Sequence, residues 1–275
     1  APGILTASPS PIMGEIDKER YSRGTSHANA LAARSAAFLY EQLGSLRLEP
    51  DGERLGEEFS AVLLKAMLVH SASWGSAYER LGALLRPPDM REDKFRRLAG
   101  WYLGFGFVQP IESLVCADHK ATMLGCGSLD DDSAHLYRIP LPPSLSGVRG
   151  LRRITVTLSW LSPIHCRHRN YRAAALWFDI ENKKLATIRE EAEWLSARNG
   201  TVQHEVFEGE KAAAFVDGEV MVIRVNCRSD ATQLDSSVRY GLVVSVEVAA
   251  GLSIPVYQEI SDRIRAAVPV GLHSS

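Results

Sequence analysis

Apolar residues fall at every second position in Ile154, Val156, Leu158 and Trp160, the period of a strand with one face turned to a core. Around this clearest case, shorter runs rich in β-branched and aromatic residues predict strands at 121–125, 135–140, Arg152–Trp160, 173–180, 202–207, 219–227 and 240–248, the run around Val220, Val222 and Val225 being less regular. Seven short strands at loop-rich spacing suggest a β-sandwich rather than a parallel sheet. Residues 140–143, rich in proline, and the charged stretch 183–198 read as connections inside it, the second also suiting a short helix. A last amphipathic segment, Val256–Ala267, predicts a helix capping the sandwich.

Before residue 104 the period changes. Ala28, Leu31, Ala32, Ser35, Ala36, Leu39 and Leu43 predict a helix packed on most sides over 28–43, with Gly44 as its C-terminal stop. Phe59, Leu63, Ala66, Met67 and His70 predict a second helix over 53–71. Arg86-Pro87-Pro88-Asp89 makes a break, and the charged residues 75–100 read as a surface excursion. Gly104-Phe105-Gly106-Phe107-Val108 is a glycine-rich turn leading into a short apolar helix at 111–116.

Composition narrows the classes. The 275 residues are 45% apolar and carry a net charge of −2, enough for a sizeable core and nothing that asks for nucleic acid or an anionic membrane. No apolar run reaches membrane-spanning length. Cys116, Cys126, Cys166 and Cys227 are widely spaced without a CxxC pair, so they read as reduced, mostly buried thiols. The chain opens on Ala1-Pro2-Gly3, with neither an initiator methionine nor a signal segment, and reads as part of a longer protein.

The candidate chemistry sits at Gly24-Thr25-Ser26, followed by His27 and the alanine-rich helix. This reads as a tight glycine turn placing a serine hydroxyl at a helix mouth, where unpaired N–H groups and the positive dipole end favour a developing oxyanion. The plainer reading makes Thr25 or Ser26 an N-cap.

The order Ala1-Pro2-Gly3, Gly24-Thr25-Ser26, two helices and then Gly104–Val108 resembles the nucleophile end of the subtilisin-like serine peptidases, over about residues 1–116. The resemblance implies an α/β fold, the C-terminal part of a three-layer parallel-sheet domain (1–116), followed by an all-β sandwich (117–250) and a helix and tail (251–275). It implies a polypeptide substrate hydrolysed through a Ser-His-Asp triad. Ser26 is the nucleophile, its backbone N–H is half of the oxyanion hole, and Gly24 and Thr25 support it. The triad Asp and His and the oxyanion Asn are absent from this chain, which is therefore expected to be inactive alone, because an unassisted serine is a poor nucleophile. The chain departs from the pattern at Ala30, where the family usually has proline, and at His27, often methionine. His27 points away from Ser26 and reads as a pocket residue rather than the base.

No cofactor is expected, a structural calcium ion being the only one the resemblance leaves room for. Asp130-Asp131-Asp132 reads as a solvated turn, His165-Cys166-Arg167-His168 as a basic loop rather than a zinc site, His70 as a helix-packing residue and His119 as a surface one. The Arg96-Arg97 pair and the acidic stretch 190–193 face solvent. Compartment stays open: the thiols lean cytoplasmic, while the family is often secreted. The alternative function is a non-catalytic module, a degenerate subtilase remnant whose sandwich binds another protein.

Overall fold

The computed structural model describes residues 3–50, 52–110, 116–145, 152–167, 169, 171–180, 188–189, 200–209, 220–230, 233–248 and 254–267. The helix expected at 111–116 and the connection at 183–198 lie mostly outside them.

The chain starts with an antiparallel hairpin, β1 (Ile4–Ala7) paired with β2 (Glu19–Ser22), which the sequence pattern did not suggest. Helix α1 (Thr25–Leu46) follows. Gly44 does not stop it: the helix runs through this residue and ends on Arg47, whose N–H donates to the Leu43 carbonyl. Nor is α1 packed on most sides. Only Leu39 and Leu43 are buried, while Leu31, Phe38 and Tyr40 are exposed.

The second expected helix is broken. Two single turns of 3₁₀ helix (Gly52–Arg54 and Glu57–Phe59) precede α2 (Ser60–His70). Gly56 is extended (φ −47°, ψ 151°), which a continuous helix cannot accommodate. The Arg47 guanidinium holds this kink, donating to the carbonyls of Leu55 (2.5 Å) and Gly56 (3.2 Å) and to Ser60 Oγ (2.6 Å).

The charged segment 75–100 is built of two helices, α3 (Ser76–Leu85) and α4 (Glu92–Leu103), closed on the buried Phe95 and Ala99. The Phe95 ring meets Tyr78 at 5.2 Å, and Glu92 gathers Tyr78, Arg86 and Arg96 around one carboxylate. Two short strands, β3 (Ala72–Ser73) and β4 (Phe107–Val108), then pair antiparallel. The glycine turn is needed here: Gly106 has φ 102°, and a Cβ on it would lie 2.3 Å from the Ser73 carbonyl oxygen.

The seven expected strands form within a few residues of their expected bounds: β5 (Lys120–Leu129), β6 (Ala134–Pro140), β7 (Arg152–Trp160), β8 (Ala174–Ile180), β10 (Val202–Gly209), β11 (Val220–Ser229) and β12 (Val238–Val248). A two-residue strand, β9 (Ile188–Arg189), joins them. They make a five-stranded sheet in the order β5-β12-β7-β10-β9 and a three-stranded sheet in the order β6-β11-β8. From β5 to β8, and again from β10 to β12, successive strands alternate between the two sheets. Every pairing among the described strands is antiparallel, so the chain is a mixed α/β fold with several antiparallel sheets.

Both sheets contribute to one apolar core. Ile154, Val156, Leu158 and Trp160 of β7 and the alternate residues Tyr240, Leu242, Val244 and Val246 of β12 join Leu176 and Phe178 of β8 and Met221, Ile223 and Val225 of β11. The last helix, α5 (Val256–Ala267), forms over its expected span and adds Val256 and Ile260. Each large side chain removed from water in this way contributes about 1.5–3 kcal/mol before the entropy of ordering is subtracted.

The other face of the five-stranded sheet is where α2 lies. The alternation leaves Thr155, Thr157, Ser159 and Ser245 on that face, yet all four are buried. Gly241 makes the close approach possible, since a Cβ there would come within 2.8 Å of the Val62 and Leu63 backbone. Ser159 Oγ donates to the Val62 carbonyl at 2.6 Å. Lys65 Nζ donates to the carbonyls of Trp160 (3.0 Å) and Thr201 (3.2 Å) and to Thr201 Oγ1 (2.6 Å). Leu39 of α1, Ala66 and Met67 of α2 and Val243 of β12 close a second, smaller core at this seam.

Candidate functional site

Ser26 occupies the second position of α1, and its side chain is exposed. The first intrahelical bond runs from the Ala28 N–H to the Gly24 carbonyl (3.2 Å), which leaves the N–H groups of Thr25, Ser26 and His27 without intrahelical partners. Neither hydroxyl caps the helix: α1 has no side-chain capping bond. Ser26 Oγ makes no hydrogen bond to any described residue. The arrangement therefore presents a free hydroxyl beside free amides at the positive end of a 22-residue helix.

The turn before it differs from expectation. Gly24 is extended (φ 162°, ψ 167°), a conformation open to any residue, and a Cβ there would meet nothing within 4 Å. What holds the entry to the helix is the neighbouring histidine: His27 Nε2 and Ser22 Oγ at the end of β2 are 2.9 Å apart. His27 thus faces Ser22 and not Ser26. Among the described residues no imidazole or carboxylate is brought to Ser26 Oγ in the manner of a triad.

The other residues singled out from sequence are placed as follows. Asp131 Oδ1 accepts from the Ser229 N–H (2.6 Å), and Asp132 has a positive φ of 54°, so the acidic turn ties the β5–β6 corner to β11. In the basic loop the His165 N–H donates to the Tyr171 carbonyl (2.5 Å) and Arg172 pairs with Asp230 (2.7 Å); His168 lies outside the described residues. No group of three or more His, Cys, Asp or Glu able to hold a metal ion occurs among the described residues. The four cysteines are free, but only Cys227 is buried; Cys126 is half-buried, and Cys116 and Cys166 are exposed, since a lone thiol on a strand edge or loop has no face to bury it. No described helix is long and apolar enough to cross a membrane.

One polar cluster was not expected. His70, at the last position of α2, has Nδ1 2.9 Å from Thr157 Oγ1 and Nε2 3.0 Å from Ser245 Oγ. Thr157 Oγ1 also meets His204 Nδ1 at 2.7 Å, and the two imidazoles stand edge to face at 6.4 Å. Burial holds His70 well below the ordinary imidazole range, helped by His204, Lys120 and Arg153. Burial, with Arg153, pushes His204 down to about 4. Both rings are neutral near pH 7, bridged by hydroxyls that donate or accept as each tautomer requires. The sequence did carry a signal for His204: Gln203-His204-Glu205 is a polar run inside a strand, where one face alone should be polar. The third member, Glu205, is on the opposite face, buried, and accepts from Gln203 Nε2 (2.6 Å).

No family model matches this chain, and no curated protein matches it. Among solved structures, it is similar at 11% identity to a chain described as "The Structure of Tomato Aspermy Virus by X-Ray Crystallography". That alignment covers 60% of this chain and 100% of the viral one, with a TM-score of 0.23, and at that level carries no functional argument.

Proposed function

We propose that this chain is the nucleophile-bearing part of a subtilisin-like serine endopeptidase followed by a β-sandwich domain. The observation that carries the reading is Ser26: an exposed, uncapped hydroxyl next to unpaired amides at the start of a long helix, in a Gly-Thr-Ser sequence. In this mechanism a histidine supplied by residues outside this chain takes the Ser26 proton as Oγ attacks the peptide carbonyl. The oxyanion is received by the Ser26 N–H, and water then hydrolyses the acyl-enzyme. Leu31 and Phe38, both exposed on α1, mark the face against which the layer carrying the base and its aspartate packs. The sandwich, seated on α2, supports the helix layer rather than the chemistry.

A second reading has its own support. With His27 turned to Ser22, Ser26 lacks a base, and Trp101, Tyr102 and Phe107 are exposed aromatics suited to a protein partner. Labelling with a fluorophosphonate separates the two. The protein in its complete natural form is labelled at Ser26, Ser26→Ala abolishes labelling, and the 275-residue chain alone stays unlabelled. If the complete protein resists labelling where a known subtilase reacts, the peptidase reading fails and the interaction module stands.

A further inference from the structure

We propose that Tyr240 is a redox-active tyrosine, giving one electron to a diffusible one-electron oxidant while its phenolic proton passes to His135. Tyr240 is fully buried on β12, and the register sets it between Gly127 of β5 and Trp160 of β7. Its hydroxyl meets two groups that reach across from β6, His135 Nδ1 at 2.7 Å and the Tyr137 hydroxyl at 2.6 Å. An oxygen with one proton can donate to one of them and accept from the other. With His135 protonated at Nε2, Tyr240 donates to Nδ1 and accepts from Tyr137. Tyr137 also reaches the Cys126 carbonyl, at the longer distance of 3.2 Å.

Glycines of β5 keep this spot clear. A Cβ on Gly127 would lie 3.0 Å from both His135 Nδ1 and the Tyr240 hydroxyl, and one on Gly125 would lie 2.7 Å from the Tyr137 ring. Glycine weakens a strand interior, and here it marks where side chains of the facing sheet close on the backbone.

Burial decides how the phenol is oxidised. It pushes Tyr137 up to about 12 and holds Tyr240 well above the ordinary phenol range, with Tyr137 adding to the shift, so no phenolate forms near pH 7. Loss of an electron alone would strand a cation in the apolar core, which costs several kcal/mol. Transfer of the proton avoids this. The Tyr240 O–H bond breaks, an N–H bond forms at Nδ1, the oxidant takes the electron, and the core keeps a neutral tyrosyl radical. The positive charge passes to His135, an exposed residue on the outermost described strand of its sheet, where water solvates it. Trp160, opposite Tyr240 on the neighbouring strand, differs: its indole N–H is buried with no hydrogen-bond partner among the described residues. An electron vacancy on Trp160 has no base to take its proton and settles on Tyr240.

Mixing the folded chain with hexachloroiridate(IV), an outer-sphere one-electron oxidant, and following radicals by electron paramagnetic resonance tests the site. Exposed tyrosines such as Tyr21 and Tyr102 give radicals that couple and vanish quickly. Tyr240 should add a neutral tyrosyl signal that outlives them and carries a hydrogen-bond coupling exchangeable in deuterium oxide. Tyr240→Phe should abolish the long-lived signal. His135→Gln, at an exposed position, should leave the fold intact and slow formation of the signal about a hundredfold, the scale of a positioned proton acceptor. It decides the matter if Tyr240→Phe does not fold. A long-lived signal that survives Tyr240→Phe overturns the inference, as does one that forms at an unchanged rate in His135→Gln. Radicals in the unaltered chain that decay as fast as those of the urea-unfolded chain overturn it equally.

Discussion

Acid should loosen the seam between α2 and the sheet before it touches the carboxylates. His204 binds its proton at about pH 4 in the fold, against 6.5 when unfolded. The folded value is the lower one, so the neutral ring is the stabilised form. Its contribution is complete above pH 6.5, falls as the unfolded chain takes up protons, and is fully lost once pH drops through 4. Over the whole interval that loss is about 3 kcal/mol, and about 2 kcal/mol of it falls between pH 7 and pH 5. His70 shifts in the same direction and adds to it. Lys120 on β5, Arg153 on β7 and Glu247 on β12 lie around the two rings, and the two cations reinforce the shift of His70. Urea unfolding at intervals from about pH 7 to pH 5 measures the slope, which should approach 1.4 kcal/mol per pH unit for each imidazole. His204→Gln should remove its share of the slope, and the His70→Gln, His204→Gln pair nearly all of it. A stability that is flat over this range in the unaltered chain refutes the reasoning, and so does a slope that survives in the doubly substituted one.

Two glycines give opposite expectations from the same substitution. Gly241→Ala pushes a methyl group into the Val62–Leu63 backbone at 2.8 Å and should cost about 1–3 kcal/mol of unfolding free energy in urea, as over-packing does. Gly44→Ala meets nothing within 4 Å inside a helix and should raise stability by about 0.5–1 kcal/mol in the same assay.

The β part of the chain was legible because one face of each strand enters a core. Ile154, Val156, Leu158 and Trp160 mark β7 to the residue, and α5 has the bounds its amphipathic pattern suggests. The helical part was less so. The 53–71 segment keeps helical spacing throughout, but the conformation of Gly56 and the reach of Arg47 from another element break it, and neither is a local signal. The pair α3 and α4 is hard to delimit because it buries little beyond Phe95 and Ala99, leaving charged faces that read only as a surface excursion. Thr155, Thr157 and Ser159 look like a solvated strand face until α2 is laid over them. For the candidate site, the motif located Ser26, and helix geometry accounts for its free amides. The seam with His70 and His204 could not be read in the same way, because it joins residues 134 positions apart through a hydroxyl on a third element.

The position of β12 bears on how the chain comes to be folded at all. It is the last of the described strands in sequence, yet it lies second in its sheet, hydrogen-bonded to β5 on one side and β7 on the other. During synthesis, both neighbours leave the ribosome with an unpaired edge and wait for it. Its closing contacts also reach far back along the chain, with His70 meeting Ser245 across 175 residues. Assembly governed by such distant partners is slow, and the waiting edges attract other chains. This β region completes its larger sheet only when its final strand arrives, and until then it depends on whatever keeps those edges apart.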